Sequence, residues 1–141
     1  MTDILHEITI QAPAGKVFDA ITTEAGLKGW WTADTRSSGK KGSTATFGFY
    51  NKSMVLEMRY DEVERAHHLR WSCVGGPGEW NGAAVAFDLE PAEQGTKVRF
   101  RHSGWKSTDG IFPKVNTGWG GLMYSLKKYV ESGKPAPMFG E

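Results

Sequence analysis

A single cysteine, Cys73, stands among 141 residues. One thiol forms no internal disulfide, no CxxC pair and no thiolate cluster, so nothing covalent is expected to hold the fold, and a reducing, cytoplasmic setting is the natural expectation. Histidine is equally sparse: His6, His67, His68 and His102 are the whole complement, and they fall in no ligand spacing. No metal site and no cofactor are expected. No segment approaches the roughly 18 apolar residues of a membrane span, and MTDILHEITI lacks the basic patch and apolar run of a secretory leader. Charge of one sign is missing too, since 17 Lys and Arg offset 16 Asp and Glu to leave +1. That supplies no general field for a phosphate backbone, and no nucleic-acid role is expected. The run Gly75-Gly76-Pro77-Gly78 lacks the Lys and Ser/Thr of a phosphate loop and precedes a strand, so it reads as a hairpin loop. No repeat or composition shift divides the chain. One domain over residues 1–141 is expected, large enough to bury about two-thirds of its unfolded surface.

What the chain holds in excess is aromatic. Six Trp and seven Phe exceed what an ordinary small core uses, so either the core is aromatic or a cavity is. The clearest periodicity lies in VNTGWGGLMYSLKKYVESGKP, where Val115, Trp119, Leu122, Leu126 and Tyr129/Val130 recur at helical steps with Ser125, Lys127, Lys128 and Glu131 opposite. Gly133 stands where a left-handed C-cap belongs, and Pro135 stops continuation. A helix from Val115 to Ser132 is predicted, about 27 Å long. Gly118, Gly120 and Gly121 oppose it at about 1 kcal/mol each relative to Ala. Two readings stay open: the glycines let the backbone approach a strand, or the helix starts only near Trp119; alternatively, they leave space beside Trp119 for a ligand.

Ile4 to Ala12 alternates as a half-buried strand, with Ile4, His6, Ile8 and Ile10 on one face. Pro13 suits the start of a short helix carrying Val17, Phe18 and Ile21. Thr22/Thr23 with Glu24 recap a second, ending near Trp30-Trp31. Thr32 to Ser43 reads as a polar loop. An antiparallel meander follows: Ala45–Tyr50, Met54–Glu64, His68–Val74, Ala83–Glu90 and Thr96–His102, with Asn51-Lys52 and Glu93-Gln94-Gly95 as turns. Lys97, Arg99 and Arg101 face outward, which makes one face of the sheet wet. The order is β-α-α-β-β-β-β-β-α, an α+β chain. A curved antiparallel sheet must cover its other face, and the C-terminal helix is the element long enough to do so. A gap between such a sheet and helix is where a small molecule binds.

The opening ITIQAPAGKVFDAITTEAGLKGWW, the RWSCV strand, the VAFDLEPAEQGTKVRFRHSGW hairpin and the closing W-x-x-L-x-x-x-L-K-K-Y-V-E-S-G-K-P resemble the START-like (SRPBCC) superfamily. More narrowly they resemble the branch named for homologues of the activator of the heat-shock-protein-90 ATPase, over about Ile4 to Pro135. The resemblance implies a helix-grip fold: a curved antiparallel sheet wrapped around a long C-terminal helix, with two short helices after the first strand and an apolar cavity between. Members of the superfamily bind sterols, lipids, plant hormones or polyketides, and some catalyse cyclisation or hydroxylation. The eukaryotic co-chaperone has an additional N-terminal domain not found in these residues, so the resemblance alone does not imply ATPase activation. The Cys/His pattern of the Rieske oxygenases is lacking, and no redox role is implied.

The expected cavity lining is Trp30, Trp31, Phe47, Phe49, Met58, Trp71, Phe87, Phe100, Trp119 and Met123, flat aromatic walls with Met as adaptable filler. His6 and His102 are added as a polar pair. Pairing Ile8 with Phe100 across the first and last strands sets the two imidazoles opposite each other, where they would orient a ligand or act as acid and base. Tyr60, Asp34 and Ser103 are further polar candidates, Trp80 closes the cavity mouth or serves a dimer contact, and Cys73 is a small buried hydrophobe. A hydrophobic or amphipathic small molecule is the leading partner. An enzyme acting on such a ligand is the alternative, as is an interaction module that meets a chaperone or a second copy.

Overall fold

The structure, a computed structural model, describes residues 2–140. Strand β1 (Thr2–Ile10) leads into helices α1 (Ala14–Thr22) and α2 (Glu24–Trp30). Strands β2 (Asp34–Arg36), β3 (Thr44–Phe49), β4 (Met54–Glu64) and β5 (His68–Gly75) follow. After a 3₁₀ turn over Gly78–Trp80 come β6 (Ala84–Ala92), β7 (Gly95–Trp105) and the long helix α3 (Phe112–Ser132). The seven strands form one antiparallel sheet in the order β1-β7-β6-β5-β4-β3-β2. The sheet wraps α3 in the helix-grip arrangement, with α1 and α2 beside it. No helix among the described residues is long and apolar enough to cross a membrane.

Alternation decides the faces. Leu56, Met58 and Tyr60 on β4, Leu69, Trp71 and Cys73 on β5, Val85, Phe87 and Leu89 on β6, and Val98, Phe100 and His102 on β7 are all buried. They meet Trp119, Leu122, Met123, Leu126 and Val130 of α3 in one core cluster, save that His102 joins it as a polar side chain. The opposite face carries charges laced across strands, including Arg101–Asp3 at 2.9 Å, Arg99–Glu90 at 3.0 Å and Arg70–Asp61 at 3.0 Å. Exposed pairs of this kind contribute only about 0.2–1 kcal/mol each. Their larger effect is to keep that face in water.

The local signals hold at several ends. Thr23 Oγ1 accepts the Gly26 N–H at 2.9 Å and caps α2, and Gly133 at φ 75° ends α3. Three expectations are corrected. The loop from Thr32 to Ser43 contains the edge strand β2, pairing Asp34, Thr35 and Arg36 with Gly48, Phe47 and Thr46; three residues are too few for a period-2 signal. Helix α3 begins at Phe112, not Val115, because Pro113 occupies its first turn, where a missing N–H costs nothing. Strand β1 pairs with β7 two residues away from the predicted register: Ile8 faces Val98, His6 faces Phe100, and Ile4 faces His102. The two histidines are therefore not opposite each other.

The residues after α3 turn back along α2. Ala136, Met138 and Phe139 donate their N–H groups to the carbonyls of Gly29, Trp30 and Trp31 at 2.9, 3.2 and 3.0 Å, and Phe139 O accepts from Ala33 N–H at 2.9 Å. Ser125 Oγ also donates to Trp30 O, at 2.7 Å. At Gly29 the two helices touch so closely that a Cβ would overlap the Tyr129 ring. Gly29→Ala is thus expected to destabilise by about 1–3 kcal/mol, read as a lower urea midpoint at unchanged m-value.

On the wet face His68 links three strands, with Nδ1 2.6 Å from Asp88 and Nε2 2.6 Å from Glu62. Partial burial works against its charge, but the two carboxylates outweigh it and hold the imidazole pKa above its ordinary value. The folded value exceeds the unfolded one. This contribution is accordingly present in full below about pH 6.5 and is lost as pH rises through the folded pKa. Urea unfolding across pH 5–9 is expected to show this decline in wild type and a flatter profile in His68→Gln.

Candidate functional site

A pocket of about 410 Å³ opens at one end of the contact between sheet and α3. Helix α3 supplies Lys114, Val115, Gly118, Trp119 and Leu122, with Ile111 just before its first turn. The β3–β4 hairpin supplies Phe49, Tyr50, Met54 and Leu56; the loop after β5 supplies Pro77, Gly78 and Trp80; Trp31 and Phe139 close the remaining side. Among the described residues Lys114 is the one charged side chain in this wall, and the pocket's volume falls in the range of small-molecule sites.

Each wall has a local cause. Tyr50, Asn51 and Lys52 all adopt left-handed φ, 53°, 57° and 65°, a sparsely populated conformation for side chains with a Cβ. The tight reversal throws Tyr50 outward, where its ring meets Phe139 edge-on at 5.6 Å; Phe49 meets the same ring edge-on at 5.0 Å. Phe139 is present only because the tail is bonded to α2. Trp80 projects from the 3₁₀ turn onto Trp119, with ring centroids 6.3 Å apart.

Of the residues read from the sequence, Trp31, Phe49 and Trp119 stand in the pocket wall, joined by Trp80, which is buried there and not at an exposed mouth. The others form the layer behind it. Trp71 stacks on Trp31 at 6.0 Å and Phe47 lies 4.4 Å from it, both fully buried. Trp30 stacks on the far side of Trp31 at 5.8 Å, and its indole N–H donates to Ala20 O at 2.8 Å. Met58, Phe87, Phe100 and Met123 are buried in the core and do not reach the pocket. The middle of the sheet–helix contact is filled by side chains.

The polar candidates are dispersed. His6 lies beside Phe100 and faces Gly120 of α3. His102 is fully buried, and its Nδ1 accepts the indole N–H of Trp119 at 3.0 Å. Burial lowers its pKa to about 4, so the ring is neutral. Tyr60 Oη lies 2.6 Å from Ser37 Oγ and donates to Thr22 O at 3.2 Å, with a pKa pushed up to about 12 by burial; it pins the loop before β3. Asp34 pairs with Lys52 at 2.6 Å outside the pocket, and Ser103 pairs with Ala84 on the other face of β7. Cys73 is buried, and burial raises its thiol pKa. Among the described residues no cluster of His, Cys, Asp and Glu is placed to hold a metal. The wall residues not anticipated are chiefly Tyr50, read from the sequence as the last residue of a strand, and Phe139, which lies outside any periodic segment.

Residues 11–131 match the family model for activator of Hsp90 ATPase homolog 1-like proteins. Among solved structures, the Aha1 dimer of Colwellia psychrerythraea is 36% identical with a TM-score of 0.87, the alignment covering 95% of this chain and 99% of that one. SSP2350 of Staphylococcus saprophyticus is 20% identical with a TM-score of 0.80, covering 96% of each chain. DynU16, a protein in the dynemicin biosynthetic locus, is 21% identical with a TM-score of 0.81, covering 99% of this chain and 51% of that one. No curated protein is matched.

The glycines of α3 separate on this geometry. A Cβ at Gly118 would meet nothing within 4 Å, and one at Gly120 would sit 3.6 Å from His6 Cε1, an ordinary contact. At Gly121 it would lie 3.0 Å from the mobile end of Met138. Close backbone approach explains none of the three, and Gly118 faces the pocket. Gly118→Ala is expected to raise stability by up to about 1 kcal/mol, the helix-propensity gain, measured as an increase in the urea midpoint.

Proposed function

The chain belongs to the activator of Hsp90 ATPase homolog 1-like family, and from that membership and the pocket we propose that it binds a hydrophobic or amphipathic small molecule, lipid-, sterol- or polyketide-like, against the first half of α3. The observation that carries the reading is an apolar pocket open to solvent, with the buried rings of Trp31, Trp80 and Trp119 behind it and Ile111, Tyr50 and Phe139 at its accessible edge. Apolar surface left accessible in this way costs solvation free energy that a ligand recovers on entry, at about 25 cal/mol per Å². Gly118 supports the same reading, because a helix former there would be more stable and would occupy the pocket. The chain would act as one domain in the cytoplasm, for which the lone cysteine is the support.

Self-association is a second reading, favoured by the dimeric state of the Colwellia psychrerythraea relative. The family description favours a chaperone contact in the same way. Neither identifies which surface would be used. The acid–base alternative loses its geometric basis, since it depended on His6 facing His102.

Native mass spectrometry of protein purified from cells is expected to show a retained small molecule, lost in Gly118→Leu, whose side chain fills the pocket while favouring the helix. A wild-type spectrum without added mass, together with no binding of 1-anilinonaphthalene-8-sulfonate, would overturn the proposal.

A further inference from the structure

Behind the pocket's inner wall lies a pair of buried donors without acceptors among the described residues. Trp80 and Trp119 face the pocket, and both also contact His102: the Trp80 ring centroid is 4.7 Å from the imidazole, and Trp119 donates to Nδ1. That hydrogen bond fixes the tautomer. With Nδ1 accepting, the proton of the neutral ring is on Nε2, which is a donor. Nε2 is buried and finds no acceptor among the described residues. Trp105, with its ring 4.9 Å from His102, is fully buried as well, and its Nε1–H also has no acceptor among them. A buried donor left unpaired loses its hydrogen bond to water without replacement, so two in neighbouring rings leave a deficit for an acceptor oxygen to relieve.

Trp80 is the partition between the pocket and this pair. It sits on a turn closed by local bonds, Trp80 N–H to Pro77 O at 3.1 Å and Asn81 N–H to Gly78 O at 3.3 Å. Gly78 and Gly82 flank it at φ 53° and 88°, with open space where a side chain would be. We propose that the binding site continues behind Trp80, and that the N–H groups of His102 and Trp105 together recognise an acceptor oxygen on an otherwise apolar ligand. This rests on the ligand-binding reading above. The chemistry selects the oxygen. Both groups donate, so an ammonium finds no partner and a neutral amine, with one lone pair, accepts from only one of them, whereas a carbonyl oxygen accepts from both; a neutral imidazole offers no charge to offset a buried carboxylate. The fit is a neutral carbonyl, as in a ketone, ester or lactone.

Two probes of like shape test it: 2-acetonaphthone, which carries the carbonyl, and 2-ethylnaphthalene, which does not. Tryptophan fluorescence gives their affinities for wild type and Trp105→Phe. The ratio of ketone to hydrocarbon affinity is expected to fall roughly five- to ten-fold in the variant, the value of one hydrogen bond, with the hydrocarbon's own affinity little changed. In wild type, the indole ¹H–¹⁵N signal that Trp105→Phe deletes should move downfield with the ketone alone. Should the variant not fold, that signal, assigned through-bond in wild type, decides the question. Equal ratios and an unmoved Trp105 signal would overturn the donor pair while leaving the pocket reading intact. Failure of both probes to bind would remove both. A Trp105 indole proton still in contact with water at ketone saturation would assign the donors to a buried water and overturn the proposal.

Discussion

The packing of Trp31 is the constraint on which the rest of this structure depends. Its ring meets Trp30 and Trp71 in parallel, Phe47 and Phe49 obliquely, and Trp119 at 5.2 Å. One side chain at the end of α2 thereby joins the short helices, the sheet and α3. Aromatic pairs contribute about 0.5–1.5 kcal/mol each beyond area burial, so the position of α2 is strongly determined. That position carries further consequences, because the carbonyls of Gly29, Trp30 and Trp31 receive the C-terminal tail. The tail in turn delivers Phe139 to the pocket. A wall residue near one end of the sequence is thus held in place by a ring more than a hundred residues earlier.

Most of the fold was legible because it is written in periods. Alternation assigned the buried face of β4, β5, β6 and β7, and the three-four spacing assigned the stripe of α3. The register of β1 against β7 was not legible, for a specific reason. A slip of one residue would send Ile4, Ile8 and Ile10 to the wet face and would be detected by the pattern; a slip of two leaves every residue on its own face. Only side-chain fit between the strands separates such registers. The sequence therefore placed both histidines correctly inward and still paired them wrongly. Strand β2 was missed for a different reason, since its pairing is supplied by β3 and not by its own composition.

The site was legible only in part. The aromatic excess pointed to a core or to a cavity, and the structure uses it for both in layers. Trp71, Phe47, Phe87 and Phe100 fill the centre of the sheet–helix contact, and Trp31, Trp80, Trp119 and Phe49 form the edge where that filling stops. Periodicity gives the face of a residue but not its depth along the helix, so it cannot tell the filled part of an interface from the open part. Tyr50 and Phe139 were beyond reach altogether. Their positions come from a left-handed turn without glycine and from a tail bonded to a distant helix.

Gly118 shows how stability and openness are set against each other within α3. Its first half contains three glycines where its second half contains Leu126, Lys127, Lys128 and Tyr129, residues better suited to a helix. If α3 served only to cover the sheet, the glycine cost would fall wherever backbone and strand come close. It falls instead where a Cβ would meet open space at Gly118, the His6 ring at ordinary contact distance at Gly120, and the end of Met138 at Gly121. Steric necessity in the protein alone does not account for that placement. Of the three, only Gly118 borders the pocket beside Trp119, at the end of the helix where the aromatic packing gives out.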